Sequence, residues 1–195
     1  MQSDDRKSCA QEEKHFDGKS CQNQVFSDVK FSSCCFSHVT LKETNCRKAH
    51  FSSCTFKGCQ LDRVDMQGAV FHDVLFEECK IVAGAFFLCN TKLFSPQFKN
   101  CFLMGCNFSH LDMKRVDFSS SKIHDCYFNE TVLVEANFQG VDLKGSAFHR
   151  ADLSKADLRG AKNYGIDPTV NTLQGVRVSL PEALSFLEFF SVKIS

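Results

Sequence analysis

The chain has 195 residues, 43% of them hydrophobic, which is enough for one well-buried core and predicts a single domain. Lysine and arginine together number 23, as do aspartate and glutamate, so no whole-molecule field attracts nucleic acid, a membrane or a strongly charged partner. The composition includes 21 Phe but only 2 Tyr and no Trp. This bias suggests one structural position that fits phenylalanine and is used many times.

The beginning of the chain is polar and charged, and we expect residues 1–15 to form a separate N-terminal segment. It lacks the apolar stretch of a secretory signal peptide, and the chain contains no run of 18 apolar residues. We therefore expect a cytoplasmic protein that does not enter a membrane. In that reducing compartment the 12 Cys are expected to be free thiols rather than disulfides.

An apolar residue recurs at every fifth position from Phe26 to Phe86, and again from Leu93 to Leu158. The position two places before each of these residues holds mostly small or β-branched side chains. A period of five fits neither an α-helix, with 3.6 residues per turn, nor a strand, with a period of 2. It indicates a chain that turns a corner in every unit and buries the large residue of each unit in a narrow core.

The large residues sort by type when they are read at a step of twenty, which indicates four units per coil. The five-residue period is interrupted between Phe86 and Leu93. The same order of residue types continues after this break if two extra residues lie between Phe86 and Leu93. We therefore predict a two-residue bulge near 87–92 within one continuous stack. The predicted core centres form a phenylalanine column and an aliphatic column: Phe36, Phe56, Phe76, Phe98, Phe118 and Phe138, and Leu41, Leu61, Ile81, Leu103, Ile123 and Leu143.

This pattern resembles that of the pentapeptide-repeat family, in which alanine, then Asp or Asn, then Leu or Phe are followed by two variable residues. It is present as Ala136-Asn137-Phe138, Ala151-Asp152-Leu153 and Ala156-Asp157-Leu158. The resemblance covers roughly residues 24–162 and implies an all-β solenoid, a right-handed quadrilateral β-helix. We expect about seven coils over residues 16–163.

The repeat stops near residue 163, and we expect residues 164–195 to form a capping and dimerisation segment. Ser179 and Glu182 have the spacing of a capping box, and apolar residues follow at helical intervals. A short α-helix that covers the last coil is therefore predicted over about 180–190. The resemblance implies a homodimer through this segment, although its aromatic residues could instead pack on the last coil. The predicted dimer contacts are Leu184, Phe186, Leu187, Phe189 and Phe190.

The sequence indicates no catalytic, cofactor or metal site. Seven cysteines take the small inward position, where a thiol is a compact apolar filler: Cys34, Cys54, Cys59, Cys79, Cys101, Cys106 and Cys126. Cys35 and Cys89 lie outside it and are predicted to be exposed thiols. The histidines also lie outside the inward positions, and no Cys/His set has zinc spacing. We therefore expect no catalytic residue, cofactor, metal or small-molecule substrate, and no enzyme activity.

The remaining function is that of a rigid scaffold that binds a protein partner. The bulge is a candidate contact, formed by Phe87, Leu88, Cys89, Asn90, Thr91 and Lys92. One alternative follows from the resemblance to the family. Within it, the sequence resembles most the Qnr-type quinolone-resistance and microcin-immunity members. It implies binding to DNA gyrase or another type II topoisomerase, through a rod that imitates DNA.

Charge weakens that imitation of DNA, because residues 26–162 contain 15 acidic and 17 basic side chains. The two signs are interspersed, so direct binding of nucleic acid is not expected either. A second alternative is a thiol redox or metal-binding protein. The expected burial of most thiols argues against it.

Overall fold

In a computed structural model of the chain, the described residues are 10–18 and 26–192. They form a β-solenoid in which all the pairings between the described strands are parallel. The described strands are β1 (Ala10–Glu12), β2 (His15–Asp17), β3 (Lys30–Ser32), β4 (Cys35–Ser37), β5 (Thr40–Lys42), β6 (His50–Ser52), β7 (Thr55–Lys57), β8 (Gln60–Asp62), β9 (Val70–Glu77), β10 (Lys80–Val82), β11 (Phe94–Lys99), β12 (Phe102–Met104) and β13 (Lys122–His124). The described helical segments are the 3₁₀ turns Phe86–Leu88, Thr91–Leu93 and Glu182–Leu184 and the short helix α1 (Ser185–Glu188).

The strand ladder does not run the full length of the solenoid. In one sheet five strands stack in the order β5, β8, β10, β12 and β13. Beyond β13 the same face continues through isolated parallel bridges, which join Lys122 to Asp142 and Asp142 to Lys162. The regular ladder thus comprises about five coils, slightly fewer than the seven predicted, because later coils pair through single bridges. The predicted solenoid with a short C-terminal helix is confirmed.

Each five-residue unit turns its corner through the residue two places after the buried centre. At Phe118, for example, Ser120 has a φ of 58° and the N–H of Ser121 donates to the Phe118 carbonyl over 3.1 Å. A positive φ at this position is what a type II turn requires. One place before the centre, Asp117 Oδ1 accepts the N–H of Ser119 over 3.0 Å. The Asp or Asn of the repeat therefore satisfies an amide of the corner.

The phenylalanine column is a continuous stack of rings. The ring centroids of Phe36 and Phe56 are 4.5 Å apart. The stack also crosses the interruption, because the rings of Phe76 and Phe98 are 5.2 Å apart and inclined by only 6°. Stacked aromatic pairs stabilise a core by ~0.5–1.5 kcal/mol beyond the area they bury. All twelve predicted core centres are buried.

The solenoid begins earlier than predicted. Gln11, in β1, aligns with Phe31 in the next coil, so part of the segment 1–15 belongs to the stack. The apolar period misses this coil because a glutamine takes the place of its centre. The rest of that segment, residues 1–9, lies outside the described residues.

The solenoid also continues beyond residue 163, where the prediction ended it. Asp157 forms a parallel bridge with Arg177, and Ile166 is fully buried. The period gives no guide here, because the polar Asn163 stands where the next apolar centre is expected.

The C-terminal cap is shorter than the predicted helix over 180–190, and the predicted capping box is wrong. Ser179 Oγ accepts the N–H of Gly160 over 2.9 Å, and Glu182 Oε1 accepts the N–H of Asn163 over 3.0 Å. The two side chains satisfy amides of the last coil instead of the first turn of the helix. They therefore attach the cap to the end of the solenoid. None of the helices in the described ranges is long and apolar enough to cross a membrane.

Candidate functional site

The interruption of the repeat presents three large apolar side chains at the surface. Phe87, Leu88 and Leu93 have 42%, 42% and 46% of their surface exposed, and we call these three residues the bulge patch. They lie on the two 3₁₀ turns that separate β10 from β11. Exposed apolar side chains that are grouped in one segment of the surface are typical of a contact for another protein.

The backbone beneath the bulge patch is fixed to the coils on both sides. The N–H of Phe87 donates to the Asn107 carbonyl over 3.1 Å, and the Leu88 carbonyl accepts the N–H of Gly68 over 2.8 Å. The neighbouring Phe86 is fully buried in the core. The patch is therefore held on a rigid base, which lowers the entropy that a partner would have to remove on binding.

The structure and the prediction differ in which residue enters the core after the break. Leu93 was expected as an inward centre, whereas the structure exposes it and buries Phe94, which aligns with Phe71. The register shifts between Phe94 and Pro96. Two adjacent apolar residues compete for one core position here, and the bulkier ring takes it.

The other predicted bulge residues have different roles. Asn90 Oδ1 accepts the N–H of Lys92 over 3.1 Å and so caps the second 3₁₀ turn. Thr91 and Lys92 are exposed. Cys89 is buried, so its prediction as an exposed thiol is wrong, and burial raises the pKa of this thiol. Cys89 stands three places after Phe86, which is the small inward position of the preceding units, and it was missed because the count was restarted at Leu93.

The C-terminal cap exposes a second group of apolar residues. Of the predicted dimer contacts, Leu184, Phe189 and Phe190 are exposed, whereas Phe186 and Leu187 are partly buried. The ring of Phe186 lies 5.5 Å from that of Tyr164, so it packs on the last coil. Packing on the last coil therefore applies to Phe186, and the dimer contact stays a prediction.

The polar faces of the solenoid carry both charge signs, which pair between neighbouring coils. Arg63 Nη2 lies 2.8 Å from Glu43 Oε1, and Arg115 Nε lies 2.9 Å from Glu135 Oε2. Exposed pairs of this kind contribute only ~0–1 kcal/mol each to stability. Their importance is electrostatic, because each acidic group of such a pair is neutralised locally.

Asp157 is a buried carboxylate near the C-terminal end of the solenoid. Arg159 Nη2 and Arg177 Nη2 lie 2.7 and 2.9 Å from its Oδ2, and Gln139 donates to the same oxygen. The hydrogen bonds from Arg159 hold the pKa of Asp157 well below its ordinary value, although burial opposes them. A carboxylate so surrounded by donors is a poor general base. Its role is to join successive coils.

The ten described cysteines are free, and the seven predicted inward thiols are buried. Burial raises the pKa of Cys46 to about 12, and hydrogen bonding with Cys101 is the main cause that raises the pKa of Cys79 to about 12. Such thiols are protonated at neutral pH and react slowly. Cys35 is intermediate in exposure. Within residues 10–18 and 26–192, no group of three or more His, Cys, Asp or Glu side chains is placed to hold a metal ion.

The repeat is recognised by comparison with known proteins. A family model described as "Pentapeptide repeat region" matches residues 29–95 and 91–166. No curated protein matches.

Several solved structures are similar over most of the chain. Full-length QnrB1, a plasmid-mediated fluoroquinolone resistance protein, is 17% identical, with 95% of this chain and 98% of that chain covered and a TM-score of 0.33. HetL, a pentapeptide repeat protein involved in heterocyst differentiation regulation from the cyanobacterium Nostoc sp. strain PCC 7120, is 18% identical, with 89% and 85% covered and a TM-score of 0.30. Rfr23, a pentapeptide repeat protein from the cyanobacterium Cyanothece 51142, is 12% identical, with 77% and 88% covered and a TM-score of 0.23.

Proposed function

We propose, since the chain belongs to the pentapeptide-repeat family, that it is a non-enzymatic, rigid scaffold that binds a protein partner in the cytoplasm. The observation that carries this proposal is the bulge patch, where Phe87, Leu88 and Leu93 are exposed on a fixed backbone. Covering such side chains favours association by about 25 cal/mol per Å² of apolar surface removed from water. The free thiols fit a reducing compartment.

The surroundings of the bulge patch indicate the chemistry of the partner. Lys92 is exposed on the same segment and forms no ion pair with the rest of the described chain. A complementary surface would therefore offer an apolar recess for Phe87 and Leu88 and a carboxylate for Lys92. We propose a folded protein with such a recess as the partner.

Site-specific photo-cross-linking in cells tests this proposal. A benzophenone amino acid is placed at Phe87 and, as a control, at Val170, which is exposed at 40% and lies outside the bulge. We expect one defined protein adduct from position 87 that is lost when Leu88→Ser is added, and none from position 170. No adduct from position 87, or the same adduct from both positions, would contradict the proposal.

A second candidate for the partner is a type II topoisomerase such as DNA gyrase. What supports it is the mid-chain interruption, which the Qnr-type members that the sequence resembles also have, although their loops are longer and here only two residues are extra. The paired charges on the faces do not favour imitation of DNA. We therefore propose that such a contact would use the bulge patch and not an acidic face.

A supercoiling assay with purified gyrase and a quinolone tests this candidate. We expect dose-dependent protection by the wild-type chain and a loss of protection with Phe87→Ala. An absence of any effect at excess protein would rule out this partner while leaving the scaffold proposal in place.

We also propose a homodimer through the exposed apolar residues of the cap, Leu184, Phe189 and Phe190. A two-fold contact would cover the same surface on both chains, as in most homodimers. Sedimentation equilibrium should give a dimer for the wild type and for the control Val170→Ser, and a monomer for Phe190→Ser. A wild-type monomer at all concentrations would contradict the dimer.

A further inference from the structure

One face of the solenoid carries exposed lysines that form no ion pair within residues 10–18 and 26–192. It is the face of the five-stranded sheet and of the isolated bridges that continue this sheet. We call it the lysine face and define it by Lys42, Lys80, Lys122 and Lys162. Most of the other basic side chains in the described chain are paired, as Arg115 is with Glu135.

The carboxylates that stand among these lysines have other partners. His124 Nε2 lies 3.0 Å from Asp142 Oδ2, and Asn163 Nδ2 donates to Asp142 Oδ1 over 2.7 Å. Asp62 Oδ2 lies 3.5 Å from Arg63 Nη2. The ammonium groups of the lysine face are therefore available to the carboxylates of another molecule.

An aromatic ring lies between two of these lysines. In the register of the sheet, Phe102 aligns with Lys80 in the preceding coil and with Lys122 in the following coil. Neighbouring strands are ~4.8 Å apart, so the ring lies about one strand spacing from each lysine along the face. Phe102 is partly exposed and packs edge-to-face on His124, with the ring centroids 5.5 Å apart. Met104, on the same strand, is 38% exposed.

A shallow hollow with a volume of about 440 Å³ lies beside this ring. Phe102, Lys122 and His124 line it on the face, and Asn100 and Ser120 line it at the adjacent corner. None of the described residues that line it is acidic. The hollow and the unpaired lysines are separate observations, and together they fit a ligand that is acidic and partly apolar.

We propose that the lysine face binds an acidic, extended segment of a protein, in which an apolar side chain stands between carboxylates. The carboxylates bind Lys80 and Lys122, and the apolar side chain enters the hollow beside Phe102. This surface shares no residue with the bulge patch, so it is a second contact and does not depend on the first.

The order of residues along the face favours such a segment over a nucleic acid. Each strand of a DNA duplex carries one phosphate charge per ~3.4 Å of the helix axis. On the lysine face, Phe102 separates Lys80 from Lys122, and Asp142 separates Lys122 from Lys162. A continuous row of phosphates would therefore meet a ring and a carboxylate as well as the lysines.

Fluorescence anisotropy with labelled peptides and the full chain tests this proposal. The probe is a peptide of two Glu-Glu-Leu-Glu-Glu units, and two comparison peptides replace every Glu by Gln or every Leu by Ser. We expect saturable binding of the probe, no binding of the Gln peptide and about fivefold weaker binding of the Ser peptide. No saturable binding of the probe, or equal affinity for either comparison peptide, would overturn the proposal.

A single-stranded thymidine oligonucleotide with the same net charge as the probe separates the two classes of ligand. We expect it to bind more weakly than the probe, because it has no side chain for the hollow and its phosphates meet Asp142. Binding as tight as that of the probe, or tighter, would overturn the assignment to an acidic protein segment in favour of a nucleic acid.

Two double variants with the same change of charge locate the binding. Lys80→Gln/Lys122→Gln should weaken binding of the probe about tenfold, as expected for the loss of two exposed ion pairs. Lys30→Gln/Lys48→Gln is the matched control, because these two lysines are also exposed and unpaired in the described chain but lie outside the lysine face. Its affinity should equal that of the wild type. Equal affinities for the two double variants would overturn the assignment, and would leave the bulge patch proposal unaffected.

Discussion

Replacing Phe118 by alanine removes a ring from the middle of the phenylalanine column. The ring is fully buried, and its centroid lies 5.3 Å from that of Phe98 and 5.2 Å from that of Phe138. The adjacent coils cannot close the gap, because each is held in place by its own backbone hydrogen bonds, such as that from Phe118 N–H to the Asn137 carbonyl. The lost transfer free energy and the cavity together should cost ~3–5 kcal/mol.

Equilibrium unfolding in urea and thermal denaturation measure this loss, which corresponds to a fall of roughly 6–20 °C in the melting temperature. Phe87→Ala is the matched control, since it makes the same chemical change at a side chain that is 42% exposed. The control should change the free energy of unfolding by less than about 1 kcal/mol. Similar losses for both variants, or a loss below about 1 kcal/mol for Phe118→Ala, would refute the inward stack.

Two further predictions concern ionisable groups. The pKa of Asp157 is lower in the folded than in the unfolded chain, so its stabilising contribution is present above about pH 4 and is lost as the pH falls further. Asp157→Asn should therefore cost about 1–3 kcal/mol at pH 7 and flatten the acid limb of the stability profile. The exposed Asp112→Asn should leave that limb unchanged, and an acid limb that is the same in both variants would contradict the role of Asp157. The thiols of Cys46 and Cys79, with pKa values raised to about 12, should be labelled by an aromatic disulfide only after unfolding. Rapid labelling of the native chain at these positions, mapped by mass spectrometry, would show that they are not buried.

The period of five predicts the core of the solenoid because the core position is the same in every regular unit. Phe36 and Phe138 are far apart in sequence, yet both could be placed by counting. Counting fails where a residue is inserted, because it cannot decide which of two adjacent apolar residues enters the core. Leu93 and Phe94 are such a pair, and the structure buries Phe94 and exposes Leu93.

The apolar period could not predict where the solenoid begins and ends, because polar residues stand at core positions there. These residues are Gln11 in the first described coil and Asn163 near the last. The spacing of Ser179 and Glu182 was also ambiguous, since the same two side chains can cap a helix or bind amides of a neighbouring coil. The contact between Tyr164 and the cap could not be predicted at all, because the cap follows this residue by about twenty positions and lies outside the repeat.

We propose that the bulge patch binds a protein partner while the stacked core supports it. The most direct test is the affinity of the partner captured at position 87 for purified wild-type, Phe87→Ala and Val170→Ala chains. We predict that Phe87→Ala weakens binding by at least about tenfold without changing stability, as for a central apolar contact, and that Val170→Ala binds like the wild type. Wild-type affinity in the Phe87→Ala chain would contradict the claim.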